Sequence, residues 1–283
     1  MLRTILAVLF AVCYLILGIP VLFVEWLIGK KNPHLRDISS LRMVQWAFRV
    51  IYRICGVKLT IIGQENVPKD TPVLYVANHN SYFDIIITYA LCENLTGYIA
   101  KDSLEKVPLL NIWMKRLYCL FLKRDDMKAS LKTILQAIEY VKQGVSICIF
   151  PEGTRGDSDE MAPFKEGSLK IAEKAGCPII PMAITHTRDI IKDHIPFVKP
   201  THVTIQYGTP VYPNELPKEE KRALGRYTQN IIQEMLDHEK AGSLLASGSF
   251  LSYSSQALQI ASTTLENSIK WDAFTRTVSP FLR

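Results

Sequence analysis

Val73-Leu74-Tyr75-Val76-Ala77, followed by Asn78-His79-Asn80-Ser81-Tyr82-Phe83-Asp84, is the stretch on which the fold turns. The apolar run after Pro72 is too short for a buried helix and reads as a buried strand. Ser81 is a good N-cap for a helix running through residues 85–91. A second run, 146–150, leads in the same way into Pro151-Glu152-Gly153-Thr154-Arg155. Further short apolar runs lie at 57–62, 179–184 and 202–207, with helical patterns at 130–142 and 166–175. Pro68, Pro72, Gly144, Pro151, Gly176 and Pro178 mark the turns. This alternation predicts an α/β fold, a mainly parallel sheet flanked by helices. Loops beyond the carboxyl ends of parallel strands share one edge, so the two polar clusters are expected to open on the same side.

His79 and Asp84 are five residues apart, a spacing that separates them on a regular helix at about 100° per residue. They meet only if His79 lies in a turn and Asp84 in the first turn of the next helix. The same residues also read as a loop histidine beside an ordinary capping box, Ser81-x-x-Asp84. In the second cluster Gly153 permits a tight turn, Thr154 offers a hydroxyl and Arg155 a planar fork suited to phosphate. A plain turn with a surface arginine has the same residues. Lys101 follows the short apolar stretch 97–100, and Lys123-Arg124 follows Phe121-Leu122. If the loops converge, Lys101, Lys123, Arg124 and Arg155 form one phosphate pocket; singly, each is a solvated charge.

The 283 residues allow one sizeable domain with extras. Three segments are expected: a membrane-anchoring helical segment at 1–60, a catalytic domain at 61–240 and a tail at 241–283. Residues 5–24 form an uncharged apolar run, long enough to cross a hydrocarbon core of roughly 30 Å. Its length, its lack of a small-x-small cleavage pattern and its ending in Trp26 and Lys30-Lys31 favour a retained anchor over a signal peptide. Gly18 and Pro20 are expected to interrupt the helix, so a kinked or re-entrant segment competes with a full span. Residues 1–60 hold eight Lys or Arg against two acids, an excess of six that equals the +6 net charge of the chain. The basic character therefore belongs to the anchor, which points to anionic lipid headgroups and away from nucleic acid. If the run spans, the cluster on its C-terminal side is expected to place the remaining chain in the cytoplasm, and either geometry leads to a membrane-bound enzyme with a cytoplasmic domain.

Residues 41–54 read as a helix with one polar stripe, Arg42, Gln45, Arg49 and Arg53, opposite an aromatic-rich apolar face. Such a helix suits a bilayer interface, or a core helix with its polar side in solvent. A charged amphipathic helix is expected over 218–240, and 241–265 carries no charge and no motif. The six cysteines are widely spaced without a C-x-x-C pair, and read as small buried hydrophobes in a reducing compartment.

Four blocks, in order, carry a family resemblance: Asn78-His79-x-x-x-x-Asp84, Phe121-x-x-Arg124, Phe150-Pro151-Glu152-Gly153-Thr154-Arg155 and Ile180-Pro181. They resemble the motif blocks of the 1-acyl-sn-glycerol-3-phosphate acyltransferases, over about residues 63–240. Phe164-Lys165-x-Gly167 is similar to that family's segment after the third block. Gly156 departs from the serine that members often carry there. The resemblance implies His79 as general base and Asp84 as the group that orients it. It implies acceptor binding by Phe121, Lys123, Arg124, Glu152, Gly153, Thr154 and Arg155, and an acyl-donor role around Pro181. It further implies a membrane-bound enzyme of phospholipid biosynthesis that uses no metal or other cofactor. The acyl donor would be acyl-CoA or acyl carrier protein, the lysophospholipid acceptor 1-acyl-sn-glycerol-3-phosphate, and the product phosphatidic acid.

In the expected reaction His79 deprotonates the glycerol hydroxyl as it attacks the acyl thioester, and Asp84 fixes the imidazole tautomer. Backbone donors of the turn after His79 are expected to receive the oxyanion. The alternatives are glycerol-3-phosphate or another lysophospholipid as acceptor, a hydrolase with Ser81 as nucleophile, and a non-catalytic membrane lipid-binding protein.

Overall fold

The computed structural model describes residues 1–156, 160–191 and 195–246. Its strands are β1 (Lys58–Ile62), β2 (Leu74–Ala77), β3 (Thr96–Lys101), β4 (Leu120–Leu122), β5 (Ser146–Ile149), β6 (Ile179–Thr185) and β7 (His202–Tyr207). They form one sheet in the order β1-β7-β6-β2-β5-β3-β4. Every neighbouring pair is parallel except β6 with β7. The sheet is thus mainly parallel, with β1 and β7 running against the other five.

Among the described residues eight α-helices accompany it: α1 (Leu2–Lys31), α2 (Pro33–Ile54), α3 (Tyr82–Leu91), α4 (Leu110–Arg116), α5 (Met127–Lys142), α6 (Glu166–Ala175), α7 (Lys218–Arg222) and α8 (Leu224–Ala246). The pleat sorts β2 between two cores. Tyr75 and Ala77 join residues of α1–α4, while Leu74 and Val76 join residues of α5, α6 and α8. Fully buried residues such as Leu74, Ile147 and Ile179 each contribute roughly 1.5–3 kcal/mol through burial. Burial on both faces explains why these strands read as unbroken apolar runs.

Several expectations change. β3 and β4, read from sequence only as apolar stretches before Lys101 and Lys123, are strands of the sheet. Gly97 is what lets them approach, since a Cβ there would lie 2.3 Å from the Tyr118 carbonyl oxygen. The helix expected over 218–240 is two, separated at Ala223 (φ −113°, ψ 40°). The described part of the tail, 241–246, continues α8, and the rest of the 241–283 segment lies outside the described residues. The boundary drawn after residue 60 falls inside β1. Among the cysteines, all free, Cys13 is exposed and Cys119 half-buried, whereas Cys55, Cys92, Cys148 and Cys177 are buried as expected.

α1 is continuous through Gly18 and Pro20, correcting the expected interruption. Gly18 serves a close approach: a Cβ there would lie 3.3 Å from the Trp113 ring of α4. The buried residues Ala7, Gly18, Leu22 and Glu25 mark one stripe along the helix. Both ends of α1 are tied to the domain. Near its start Arg3 donates to the Cys55 carbonyl (3.3 Å) and Thr4 Oγ1 accepts from Val198 N (3.0 Å). Near its end Glu25 Oε2 receives Arg116 (2.9 Å) and the Ser40 hydroxyl (2.5 Å).

The polar stripe of α2 is only partly a surface. Gln45, fully buried, donates to the carbonyls of Tyr89 and Cys92, and Arg49 to that of Ala90 (3.0 Å). These side chains supply donors to the orphan carbonyls at the end of α3. Trp46, one of the aromatic residues outside that stripe, is 55% exposed and meets Phe10 of α1 edge-on.

Candidate active site

β2 sits between β6 and β5, and its carboxyl end carries a group of polar contacts. Asn78 clasps the end of β6 by donating to the Ile184 carbonyl (2.9 Å) and accepting from Ile184 N (2.8 Å). Ser81, extended at φ −151°, ψ 162°, caps α3. Its Oγ accepts from Phe83 N (3.2 Å), and Asp84 completes a capping box. This geometry returns the Asp84 side chain to the preceding turn, where His79 Nδ1 lies 2.8 Å from Asp84 Oδ2. The capping box and the His–Asp pair are therefore one structure.

Asp84 is fully buried. Its Oδ2 also accepts from Asn80 N (2.7 Å) and Ser81 N (2.8 Å), and Oδ1 accepts from the Thr187 hydroxyl beyond β6. A carboxylate surrounded by donors requires His79 to present Nδ1–H, which leaves the basic lone pair on Nε2. The imidazole stacks on Phe150 at 4.2 Å between centroids and 23° between planes, fixing the direction of Nε2. The Asn80 and Ser81 N–H groups are committed to Asp84, so the expected oxyanion role for the turn after His79 does not hold at these two donors.

The loop after β5 reaches the same place. Glu152, buried, accepts from His79 N (2.7 Å) with Oε1 and from Ala162 N (2.9 Å) with Oε2. Burial pushes its carboxyl above the usual range, and the two backbone donors offset part of that rise. Gly156 N donates to the His79 carbonyl (2.9 Å). Gly153 lies at φ +79°, and a Cβ there would come within 2.7 Å of Lys165 Nζ. Thr154 and Arg155 are exposed, with the Arg155 guanidinium 3.7 Å over the ring of Tyr82, the first residue of α3.

Lys101 ends β3, and its register partner Leu122 ends β4, directly before Lys123 and Arg124. All three are exposed charges at the same sheet edge, beyond β5 as seen from His79. Phe121 is half-buried within β4, opposite Ala100. Pro181 lies elsewhere: it is buried in β6 opposite Val76, three residues before His79, or about 10 Å along the strand. The structure thus brings together His79, Asp84 and Glu152, with Gly153, Thr154 and Arg155 in the adjoining loop. Thr187, Phe150 and Asn78 belong with them but were given no role by sequence. Asn78 and Phe150 stand inside the quoted blocks, whereas no sequence signal marks Thr187.

A half-buried His79 paired with a fully buried Asp84 at the carboxyl edge of a mainly parallel sheet, beside a loop with an exposed arginine, fits an acyl-transfer type of domain. A family model described as Acyltransferase matches residues 58–185. The probable 1-acyl-sn-glycerol-3-phosphate acyltransferase of Mycoplasma pneumoniae is 33% identical over 184 residues, which cover 60% of this chain and 68% of that protein. The 1-acyl-sn-glycerol-3-phosphate acyltransferase of Borreliella burgdorferi is 28% identical over 198 residues, covering 70% and 79%. The crystal structure of the 1-acyl-sn-glycerophosphate acyltransferase PlsC from Thermotoga maritima superposes with a TM-score of 0.74 at 29% identity, covering 85% of this chain and 95% of that one. The chain belongs to the 1-acyl-sn-glycerol-3-phosphate acyltransferase family.

Proposed function

We propose that this chain transfers a fatty acyl group from a thioester donor to the sn-2 hydroxyl of 1-acyl-sn-glycerol-3-phosphate, giving phosphatidic acid. The observation that carries this reading is the His79 Nδ1–Asp84 contact at 2.8 Å, which leaves Nε2 as a base next to the Arg155 loop. Nε2 takes the hydroxyl proton as the oxygen attacks the thioester carbonyl. The carbon–sulfur bond then breaks, and the imidazolium returns its proton to the leaving thiolate. Asp84 stabilises the imidazolium through Nδ1–H. The acceptor phosphate is assigned to Arg155 and Thr154, with Lys101, Lys123 and Arg124 along the same edge raising its local concentration. Acyl-CoA or acyl carrier protein serves as donor, and no metal or other cofactor takes part.

Family membership implies lipid substrates and an acyl donor, and α1 is the single described helix long and apolar enough to cross a membrane. Its outward face exposes Leu9, Val12, Ile16, Leu17, Phe23 and Trp26. Thr4 and Glu25, both bonded to the domain, are separated by about 32 Å of helix. A helix held to one domain at both ends favours lying in the membrane surface over crossing it. The domain then sits on the cytoplasmic leaflet with its site close to a lipid acceptor.

The test is turnover by the full-length protein in liposomes. Acyl-CoA and 1-acyl-sn-glycerol-3-phosphate should give phosphatidic acid and free thiol in equal amounts, and His79→Ala should abolish both. Glycerol-3-phosphate and other lysophospholipids, offered alongside, identify the acceptor. Thiol release without acyl transfer, lost on Ser81→Ala, would make the protein a thioesterase; Ser81 Oγ is instead occupied as a helix cap.

A further inference from the structure

We infer that Thr187 is a positioning residue of the acyl-transfer site, holding Asp84 so that Asp84 can hold His79. The inference rests on the proposed role of His79. Thr187 is fully buried, two residues beyond the end of β6, and its hydroxyl donates to Asp84 Oδ1. The three contacts to Oδ2 come from the turn that Asp84 itself closes, namely His79 Nδ1, Asn80 N and Ser81 N. Thr187 is the contact from outside that turn. It sets the rotation of the carboxylate, and with it the direction in which Nδ1–H must point.

Two further features show that the backbone is arranged for this contact. Asn78 clasps Ile184 in both directions, so the end of β6 is registered against the residue preceding His79. His186 then adopts φ +63°, a left-handed conformation unfavourable for a residue with a side chain. That turn delivers the next residue, Thr187, inward. Such a conformation persists where surrounding contacts over-determine it, and the Thr187–Asp84 bond is one of them. The segment after β6 thus reaches the site through Thr187, beside the Ile184–Asn78 contacts at the strand's end.

The test compares Thr187→Val with Thr187→Ser and with Thr185→Val. Thr185 lies two residues earlier, and its buried hydroxyl has no hydrogen-bond partner among the described residues, so it is a matched control for losing a threonine hydroxyl. Thr187→Val is expected to lower kcat about tenfold, as loss of one hydrogen bond to a charged group would, with both KM values within about twofold. Thr187→Ser should restore kcat to within about twofold, and Thr185→Val should leave it unchanged. In ¹⁵N-histidine-labelled protein the Nδ1–H proton resonance of His79 should move in Thr187→Val and stay in place in Thr185→Val.

If valine disturbs the fold, Thr187→Cys keeps the size with a weaker donor, and kcat should fall without a change in Tm. Equal kcat and an unmoved His79 resonance in Thr187→Val and Thr185→Val would overturn the inference. Full turnover by His79→Ala would instead overturn the reading of the site on which it rests.

Discussion

The Glu152 carboxylate holds the backbone of His79: its Oε1 accepts the His79 N–H at 2.7 Å, and its Oε2 accepts Ala162 N–H at 2.9 Å. Sequence placed Glu152 with the acceptor-binding residues, yet both oxygens face inward. Its role here is to fix the loop that aims the imidazole.

Glu152→Gln tests that role. An amide has one acceptor oxygen, so one of the two backbone donors would face an NH₂ group. Small displacements at a reacting group are costly, and kcat is expected to fall about 10–100-fold with the fold retained. The pH dependence has a definite sign. Burial raises the Glu152 carboxyl in the folded state. Its stabilising contribution is therefore fully present below the unfolded value of about 4.3 and is lost as pH rises through the folded value. Thermal unfolding from pH 4 to 7 should show wild type losing stability relative to Glu152→Gln. A difference that instead grows in favour of wild type would contradict the burial argument.

Asp84→Asn should separate catalysis from capping. With its oxygen in the Oδ2 position, asparagine still accepts from Asn80 N, Ser81 N and His79 Nδ1–H and turns its NH₂ to the Thr187 hydroxyl, so the capping contacts persist while the negative charge that stabilises the imidazolium is lost. The expected loss in kcat is about 10²–10⁴-fold, by analogy with other His–Asp couples. The expected loss of stability is only about 1 kcal/mol, the scale of a perturbed cap. Steady-state kinetics and denaturant unfolding measure the two effects. Activity and stability falling in proportion would reduce Asp84 to a cap.

How legible the molecule was in its sequence depends on what each residue reveals by itself. β2, β5, β6 and β7 are buried on both faces, so they stood out as apolar runs. β3 and β4 did not, because Thr96-Gly97-Tyr98-Ile99-Ala100-Lys101 is interrupted by a glycine whose reason is the Tyr118 carbonyl, and β4 is three residues long. The His–Asp pair was legible because its cap signature fixes the local geometry. The direction of Glu152 was not, since a carboxylate beside Thr-Arg reads the same facing a ligand or a backbone. Thr187 gave no signal at all. It is 103 residues from Asp84, and a single threonine after a strand is unremarkable until the sheet order sets β6 beside β2.

Gly153→Ala places a methyl at φ +79°, within 2.7 Å of the Lys165 ammonium. The left-handed backbone alone costs about 1–2 kcal/mol for a residue with a Cβ. Lys165 can move, because its flexible end is what the methyl meets. The double variant Gly153→Ala with Lys165→Ala should therefore recover only part of the lost stability. Full recovery would mean that sterics, and not the backbone angle, require glycine. In both variants kcat/KM for the acceptor should drop, since Thr154 and Arg155 follow directly in the chain.

Arg116 and Glu25 join the domain to α1, at 2.9 Å with Glu25 2% exposed. The second carboxylate oxygen, Oε1, lacks a hydrogen-bond partner among the described residues, so this ion is poorly compensated even in the native state. Arg116→Met would leave the carboxylate with the Ser40 hydroxyl and no opposing charge there. Stranding a buried charge costs about 3–5 kcal/mol, whereas replacing both partners with apolar residues is often close to neutral. Arg116→Met should therefore be strongly destabilised, and the double variant with Glu25→Leu should regain most of the loss. Vesicle binding should persist in both, because the apolar outer face of α1 is untouched. Unfolding of the two single variants and the double variant gives the coupling energy directly. A value near zero would mean that the Arg116–Glu25 pair adds nothing, and that the apolar stripe with the Arg3 and Thr4 contacts holds α1.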